Sequence, residues 1–201
     1  MVIHPEKKGI RALGVAESFR LGGMGRSVLA GVVMRSDLVI DGMGFGYATI
    51  GGDDATDGIL RIYRALDRRD INVIMLGGAV ISYYNVIDVD RIYGETGVPT
   101  LSITYRKSRG IGSIIRKRFP EGWQLKLELY RKLGRRRSIR LKTGHLVYAR
   151  PAGMSEREAK RVLDKFVVEG GVPEPIRVAR IAAKAALDSM GLWWAPPTPA
   201  P

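Results

Sequence analysis

The sequence predicts one α/β domain built around a mixed β-sheet, with helices on both faces and a strongly basic insert. Three β-branched or alternating runs, at residues 10–18, 27–34 and 38–50, come first and indicate an antiparallel three-strand meander. Helical spacing and short apolar runs then alternate, which is the pattern of βα units with parallel strands. The length of 201 residues, with 45% hydrophobic and 26% charged residues, suits one domain with a full core.

The second and third strands should form a hairpin, because only Arg35-Ser36-Asp37 separates them. The third strand contains Gly42, Gly44 and Gly46 at every second position, so all three face the same side of the sheet. That bare side predicts the close approach of a helix or of another backbone.

The parallel part begins with a helix for which Asp54 is the expected N-cap. Its apolar stripe consists of Ile59, Ile62, Tyr63 and Leu66. A buried strand at residues 71–76, a helix at 87–95 and a strand at 100–105 follow, which gives the order β-β-β-α-β-α-β. Right-handed crossovers place these later strands parallel to the first strand and on its far side from the meander.

The rest of the chain predicts two short helices, a hairpin around Thr143-Gly144-His145, and two final helices. Ser155 and Glu158 form a capping box for the first of these final helices, and Pro173-Glu174-Pro175 begins the second. We expect a single domain at residues 1–192, with the basic insert at 106–150, followed by a flexible Pro-rich tail at 193–201.

The positive charge is concentrated in one stretch of the chain. The net charge is +13, and residues 106–150 alone contain 15 Lys and Arg against 2 acidic residues. Such a block attracts polyanions, so nucleic acid is the expected partner, whereas the alternative is a solvated basic face without a specific partner. The candidate nucleic-acid-binding residues are Arg106, Lys107, Arg109, Arg116, Lys117, Arg118, Arg135, Arg136 and Arg137.

Several classes of protein are excluded or disfavoured. The absence of cysteine excludes a disulfide framework and thiolate zinc sites. We find neither a Ser/His/Asp signature nor a dinucleotide fingerprint, and His145 is expected on the surface of its hairpin. No apolar run is long enough to span a bilayer and no signal peptide is recognisable, so we expect a soluble cytoplasmic protein. Scarce Asn and Gln with abundant Arg favour a thermophilic source.

Five strings resemble a known archaeal family. They are Ile10-Arg11-Ala12-Leu13-Gly14-Val15, Gly52-Asp53-Asp54-Ala55-Thr56, Tyr84-Asn85-Val86-Ile87-Asp88, Thr96-Gly97-Val98-Pro99 and Pro173-Glu174-Pro175-Ile176-Arg177-Val178-Ala179. Over residues 9–190 the chain is similar to domain-of-unknown-function family ninety-nine, a distant relative of endonuclease V with the ribonuclease H-like fold. Endonuclease V uses Mg²⁺ to cleave nucleic acid next to deaminated purines, so the resemblance implies a nucleic-acid-binding protein related to that enzyme.

The resemblance also implies a set of catalytic acids. Glu17, at the end of the first strand, and Asp53 and Asp54, at the start of the first helix, match positions of the endonuclease V-like site, with Glu17 and Asp54 as the implied Mg²⁺ ligands. Ala16 stands where the family commonly has another acid, and Gly77-Gly78 ends the fourth strand without a carboxylate. The implied acidic cluster is therefore incomplete.

Each candidate residue also has a structural interpretation. Asp54 is an ordinary helix cap, Asp53 braces the same turn, and Glu17 forms a salt bridge with an arginine. Trp123 and Tyr130 either stack on bases or, with Leu127 at helical spacing, belong to the core. Asp88 suits the N-terminus of a helix, and Lys107 lies near the position where endonuclease V-like enzymes place a lysine at the phosphate.

Three functions are left open by the sequence. The first is an endonuclease V-related domain that binds nucleic acid through residues 106–150 and retains feeble metal-dependent phosphodiesterase activity. The second is a non-catalytic factor associated with RNA or DNA. The third is a protein-interaction module whose basic stretch meets an acidic partner.

Overall fold

The computed structural model describes residues 9–21, 25–107 and 110–193. Its strands are β1 (Arg11–Ser18), β2 (Arg26–Arg35), β3 (Ile40–Thr49), β4 (Ile71–Leu76), β5 (Val80–Ile81), β6 (Asn85–Val86), β7 (Thr100–Thr104), β8 (Arg137–Arg140) and β9 (Leu146–Ala152). Its helices are α1 (Ala55–Ala65), α2 (Val89–Thr96), α3 (Gly112–Arg118), α4 (Trp123–Lys132), α5 (Glu156–Phe166) and α6 (Glu174–Trp193). Arg109 and residues 194–201 of the predicted tail lie outside the described residues.

The seven-stranded main sheet has the order β3-β2-β1-β4-β7-β9-β8. Strands β1, β2 and β3 pair antiparallel, and β4 and β7 run parallel to β1 on its other side. This arrangement confirms the predicted meander and the predicted parallel βα units. The three parallel strands therefore end at the same edge of the sheet, where open α/β sheets bind their ligands.

The sheet extends further than the sequence predicts. The hairpin β8–β9 continues the sheet antiparallel to β7, with Leu101 opposite Pro151 and Thr104 opposite Tyr148. The last third of the basic segment 106–150 is therefore part of the main sheet, whereas α3 and α4 stand apart from it. A second, two-stranded sheet of β5 and β6 lies between β4 and α2, where the sequence predicts no hairpin. Strands of two residues are too short to show a periodicity.

Helices cover both faces of the sheet. On β1, Leu13 belongs to the core cluster that contains α1 and α2, and Ala12 belongs to the cluster that contains α5 and α6. Because neighbouring residues of a strand point to opposite faces, the two helix pairs lie on opposite sides. No helix in residues 9–21, 25–107 and 110–193 is long and apolar enough to cross a membrane.

Two helices pack unusually close to strands of the sheet at positions occupied by glycine. Gly46 faces α1 as predicted, and a Cβ there would lie 3.0 Å from Ile62. On the opposite face a Cβ at Gly14 would overlap the backbone of Pro175, so the Pro-Glu-Pro string presses the start of α6 directly onto β1. These contacts place α1 directly against β3 and the start of α6 directly against β1.

Candidate functional site

Glu17 lies at the carboxyl end of β1, and its side chain enters a small, mainly apolar pocket. Ile59, Ile81 and Ile87 line this pocket together with Gly77. Among the described residues, Oε2 of Glu17 is buried and has no hydrogen-bond partner. Burial raises the pKa of Glu17 above its ordinary value, whereas a backbone hydrogen bond from Ser82 and the charge of Arg180 oppose this shift.

Asp53 forms an ion pair with a lysine of α4. Nζ of Lys126 lies 2.7 Å from Oδ1 of Asp53 and 2.6 Å from the carbonyl oxygen of Gly52. The Lys126 side chain is only 4% exposed, and its ammonium group lies 4.8 Å from the centre of the Phe119 ring. The carboxylate is therefore already neutralised by a positive charge of the protein, and this pair joins α4 to the loop before α1.

Asp54 occupies the N-cap position of α1, but its side chain does not cap the helix. Oδ1 accepts hydrogen bonds of 2.8 Å from the Thr49 backbone N–H and from Nδ2 of Asn85, and Oδ2 accepts one of 2.8 Å from the Thr49 hydroxyl. Oδ1 of Asn85 accepts the Ala55 N–H instead, at 3.1 Å. Burial raises the pKa of Asp54, but the hydrogen bonds from Thr49 and Asn85 outweigh it and leave the pKa below its ordinary value. The prediction of an ordinary side-chain cap is wrong, because Asn85 performs that role.

The residues at this edge do not form a magnesium site as they are arranged. Mg²⁺ requires several oxygen ligands in a near-octahedral shell. Within the described part of the chain no three His, Cys, Asp or Glu side chains cluster in a way that could hold a metal ion. Glu17 lies among apolar side chains, Asp53 is paired with Lys126, and both oxygens of Asp54 already accept hydrogen bonds.

The end of β4 has no room for the missing carboxylate. A Cβ at Gly77 would lie 3.2 Å from Ile176 and 3.4 Å from the Val15 carbonyl oxygen. Gly78 has a φ of +133°, a conformation that residues with a side chain rarely adopt. Neither position accepts an acid without strain.

Asp88 and Asp41 also have structural roles. Oδ1 of Asp88 accepts the Arg91 N–H at 3.0 Å at the start of α2, and its Oδ2 lies 2.6 Å from Nζ of Lys132. This confirms the capping interpretation of Asp88. Asp41 forms an ion-pair network with Arg11 and Arg68 at the edge of the sheet.

A cavity of roughly 400 Å³ lies beside the end of β7 and is lined by four arginines. They are Arg106, Arg136, Arg150 and Arg180, and among the described residues that line the cavity none is acidic. Tyr105 and Tyr130 are also part of the lining. We call this space the arginine cavity. Its concentration of guanidinium groups creates a strong positive potential at the edge of the sheet where β1, β4 and β7 end.

Neutral oxygen atoms orient two of these guanidinium groups. Nη1 of Arg136 donates to the Thr104 hydroxyl at 2.8 Å and to the carbonyl oxygen of Arg106 at 3.1 Å, and Nε of Arg150 donates to the carbonyl oxygen of Gly134 at 3.3 Å. Burial lowers the pKa of Arg150, and the charge of Arg136 lowers it further. Arg136 and Arg150 are therefore held in place although their charges repel one another.

Arg180 and Arg150 are site residues that the sequence analysis missed. Arg180 lies on α6, with its guanidinium group 5.9 Å from the centre of the Tyr105 ring. It is far from the basic segment in sequence, but it lies five residues after the Pro-Glu-Pro string on the same helix, and this was the available signal. Burial raises the pKa of Tyr105 to about 12, although the positive charge of Arg180 opposes this shift.

The predicted nucleic-acid-binding residues fall into separate groups. Arg106 and Arg136 line the arginine cavity. Exposed positions elsewhere on the basic segment are occupied by Lys107, Arg116, Lys117, Arg118, Arg135 and Arg137, while Arg109 lies outside the described residues. Arg137 already forms an ion pair within the protein, because its Nε lies 3.1 Å from the Glu156 carboxylate.

Gly77 borders both the arginine cavity and the Glu17 pocket, so these two features are neighbours.

A sequence model described as endonuclease dU matches residues 8–187. The chain belongs to the endonuclease dU family. A UPF0215 protein of the archaeon Pyrobaculum aerophilum is 36% identical over 175 residues, which are 87% of this chain and 92% of that protein. This membership supports the endonuclease V-like relationship that the sequence strings indicated.

Solved structures agree with the predicted fold class. A protein of unknown function from Archaeoglobus fulgidus superposes with a TM-score of 0.76 at 26% identity, over 88% of this chain and 97% of the other. Endonuclease V of Ciona intestinalis, crystallised with DNA that contains inosine, superposes with a TM-score of 0.63 at 13% identity, over 91% of this chain and 88% of the other. The α/β fold with a mixed sheet is thus confirmed as endonuclease V-like.

The ion pair between Lys126 and Asp53 leads to a prediction about the stability of the fold. Substitution of Lys126 by Met (Lys126→Met) should lower the free energy of unfolding by about 2 kcal/mol, because it removes two charge-assisted hydrogen bonds from a buried ammonium group. The matched control is Lys132→Met, since Lys132 is 53% exposed and should contribute below about 1 kcal/mol. Urea denaturation of both variants gives the comparison, and equal losses would contradict a special role for Lys126.

The burial of Glu17 leads to a prediction about how the free energy of unfolding depends on pH. Because its pKa is raised in the folded state above the ordinary 4.5, the folded protein binds more protons than the unfolded chain just above that pH, and stability falls as the pH rises through the folded-state pKa. Glu17→Gln cannot ionise, so its free energy of unfolding relative to the unsubstituted protein should increase from about pH 4 to about pH 8.

Denaturant unfolding at several pH values measures this difference. Glu121→Gln, at an exposed glutamate between α3 and α4, is the matched control for replacing a carboxylate by an amide. A flat difference for Glu17→Gln would show that Glu17 is not desolvated in solution.

Proposed function

We propose that this protein binds nucleic acid through its phosphate chain, and that the arginine cavity holds one phosphate group. The observation that carries the proposal is the convergence of four arginines on one cavity without an acidic side chain in its described lining. Guanidinium groups bind phosphate oxygens in bidentate geometry, and a bound phosphate would relieve the repulsion among them.

The position of the cavity supports the same proposal. It lies where β4 and β7 end, which is the edge at which folds of this type bind ligands. The exposed cations Arg116, Lys117 and Arg118 extend the positive surface along α3 and would contact further phosphates. The Ciona endonuclease V of the same fold was crystallised with DNA, which favours nucleic acid over another polyanion.

Metal-dependent cleavage is a second candidate function. In it Glu17, Asp53 and Asp54 would be the catalytic acids, and Glu17 and Asp54 would hold Mg²⁺. One observation favours it, because the unpartnered Oε2 of Glu17 is a buried oxygen that a cation would satisfy. It requires Asp54 to give up hydrogen bonds and the ion pair between Asp53 and Lys126 to open, so we place it second.

The first function predicts a steep dependence on salt. A mixed-sequence oligonucleotide should bind with a large negative slope of log K against log salt, and Arg180→Gln should weaken binding about tenfold and reduce the slope by about 1. Arg157→Gln, at an exposed arginine of α5 away from the cavity, should leave both unchanged. Fluorescence anisotropy at several salt concentrations measures this. A flat salt response would contradict the proposal and favour an acidic protein partner.

The two functions differ in their dependence on metal. With the residues as arranged, the oligonucleotide should bind equally well in Mg²⁺ and in EDTA, and calorimetric titration with Mg²⁺ or Mn²⁺ should show no saturable site, since no cluster of ligands is formed. Saturable binding at millimolar metal that disappears in Glu17→Ala would contradict this expectation and establish the cleavage site instead.

A further inference from the structure

The turn between β5 and β6 has an unusual backbone. Ser82, Tyr83 and Tyr84 have φ values of +45°, +58° and +66°, so three consecutive residues with side chains adopt the left-handed conformation. Each of these conformations is sterically unfavourable for an L-residue. Backbone strain of this kind persists where the surrounding structure enforces it, and it is concentrated at functional sites.

The surrounding structure does hold this turn. The hydroxyl groups of Ser27 and Ser82 lie 2.6 Å apart in the interior, and the Gly51 N–H donates to the carbonyl oxygen of Ser82 at 2.7 Å. Nδ2 of Asn85, directly after the turn, donates to the Thr49 carbonyl oxygen at 3.0 Å. The conformation of the turn is thus fixed from several sides, and it projects two adjacent tyrosines.

The two tyrosines belong to a cluster of three rings. The ring centres of Tyr83 and Tyr84 are 5.1 Å apart, and Phe119, which follows α3, lies 6.1 Å from Tyr83 and 6.0 Å from Tyr84. Both tyrosines are only partly buried. We call these three residues the tyrosine cluster. It is supported from within and still reaches solvent, which a stacking surface requires.

Positive charges lie next to the tyrosine cluster. Tyr84, Ser113, Ile114, Lys117 and Arg118 line an open cavity of roughly 540 Å³ whose described lining contains no acid. In the described ranges neither Lys117 nor Arg118 forms an ion pair, and the Arg118 guanidinium group lies 5.9 Å from the centre of the Tyr83 ring. Aromatic faces beside unpaired cations are the combination that binds single-stranded nucleic acid.

We propose that the tyrosine cluster stacks an unpaired nucleobase, with Tyr84 as the principal contact and with Lys117 and Arg118 on the adjoining phosphates. This inference rests on the proposed nucleic-acid binding and names its substrate class: single-stranded nucleic acid, or a duplex with a locally unpaired base. A fully paired duplex keeps its base faces stacked inside the helix and cannot present one to Tyr84.

The test compares single-stranded and fully paired oligonucleotides of the same sequence. Tyr84→Leu keeps an apolar side chain but removes the ring, and it should weaken binding to the single strand about tenfold while leaving binding to the duplex unchanged. Tyr84→Phe keeps the ring and should bind both like the unsubstituted protein. Phe45→Leu, at a 51% exposed ring on β3, is the matched control and should change neither affinity.

A second measurement needs no substitution. A single strand that contains 2-aminopurine should lose fluorescence when the full chain binds it, because stacking on an aromatic ring quenches this base. An absence of quenching, an unchanged affinity of Tyr84→Leu for the single strand, or equal losses on single strand and duplex would each overturn the stacking proposal. In those cases the steep salt dependence and the loss in Arg180→Gln would still stand, whereas failure of the protein to bind any oligonucleotide would overturn the proposed function itself.

Discussion

The convergence of four guanidinium groups on one cavity is the constraint on which the architecture of this site depends. Arg106 follows β7, Arg136 precedes β8, Arg150 lies on β9 and Arg180 on α6, and all four line the same cavity. Arg136 donates to neutral oxygens of Thr104 and Arg106, and Arg150 donates to the neutral carbonyl oxygen of Gly134. Neutral acceptors fix the direction of an arginine without cancelling its charge. The positive potential is thereby preserved for an anion from outside the protein.

Asp53 and Asp54, near the edge of the sheet where β1, β4 and β7 end, have structural roles. Asp53 neutralises Lys126 and so attaches α4 to the loop before α1. Asp54 accepts hydrogen bonds from Thr49 and Asn85 and so fixes the loop that connects β3 to α1. A magnesium-dependent nuclease needs such carboxylates free to face the metal and the phosphate. In this chain, the fold shared with endonuclease V therefore holds Asp53 and Asp54 in ion pairs and hydrogen bonds within the protein.

The sequence predicted the meander, the parallel βα units and the helices of the basic segment because each is long enough to show a periodicity or a cap. Gly42, Gly44 and Gly46 correctly indicated the contact with α1. The placement of β8 and β9 on the main sheet was not predictable, since a hairpin does not specify in its own sequence which edge it joins.

The candidate site was only partly accessible to sequence reasoning. Arg106 and Arg136 were identified from the concentration of charge, but Arg180 reaches the same cavity from α6, which begins 68 residues after the start of the basic segment at residue 106, and no local pattern connects them. The partners of Asp53 and Asp54 depend on the packing of α4 and on Asn85 of β6, which are long-range contacts. The strained turn at Tyr83 and Tyr84 was invisible for another reason, because these residue types normally disfavour the left-handed conformation.

One hairpin links the two positively charged cavities. Val80 on β5 lines the arginine cavity, and Tyr84 at the turn lines the cavity beside α3. A single strand that occupied both would cross the hairpin, with a phosphate at the arginines and a base at the tyrosine cluster. The ammonium group of Lys126 lies against Phe119, the third ring of that cluster. The Asp53–Lys126 ion pair therefore supports the stacking surface, so that an acid which the family resemblance assigns to cleavage would here contribute to binding.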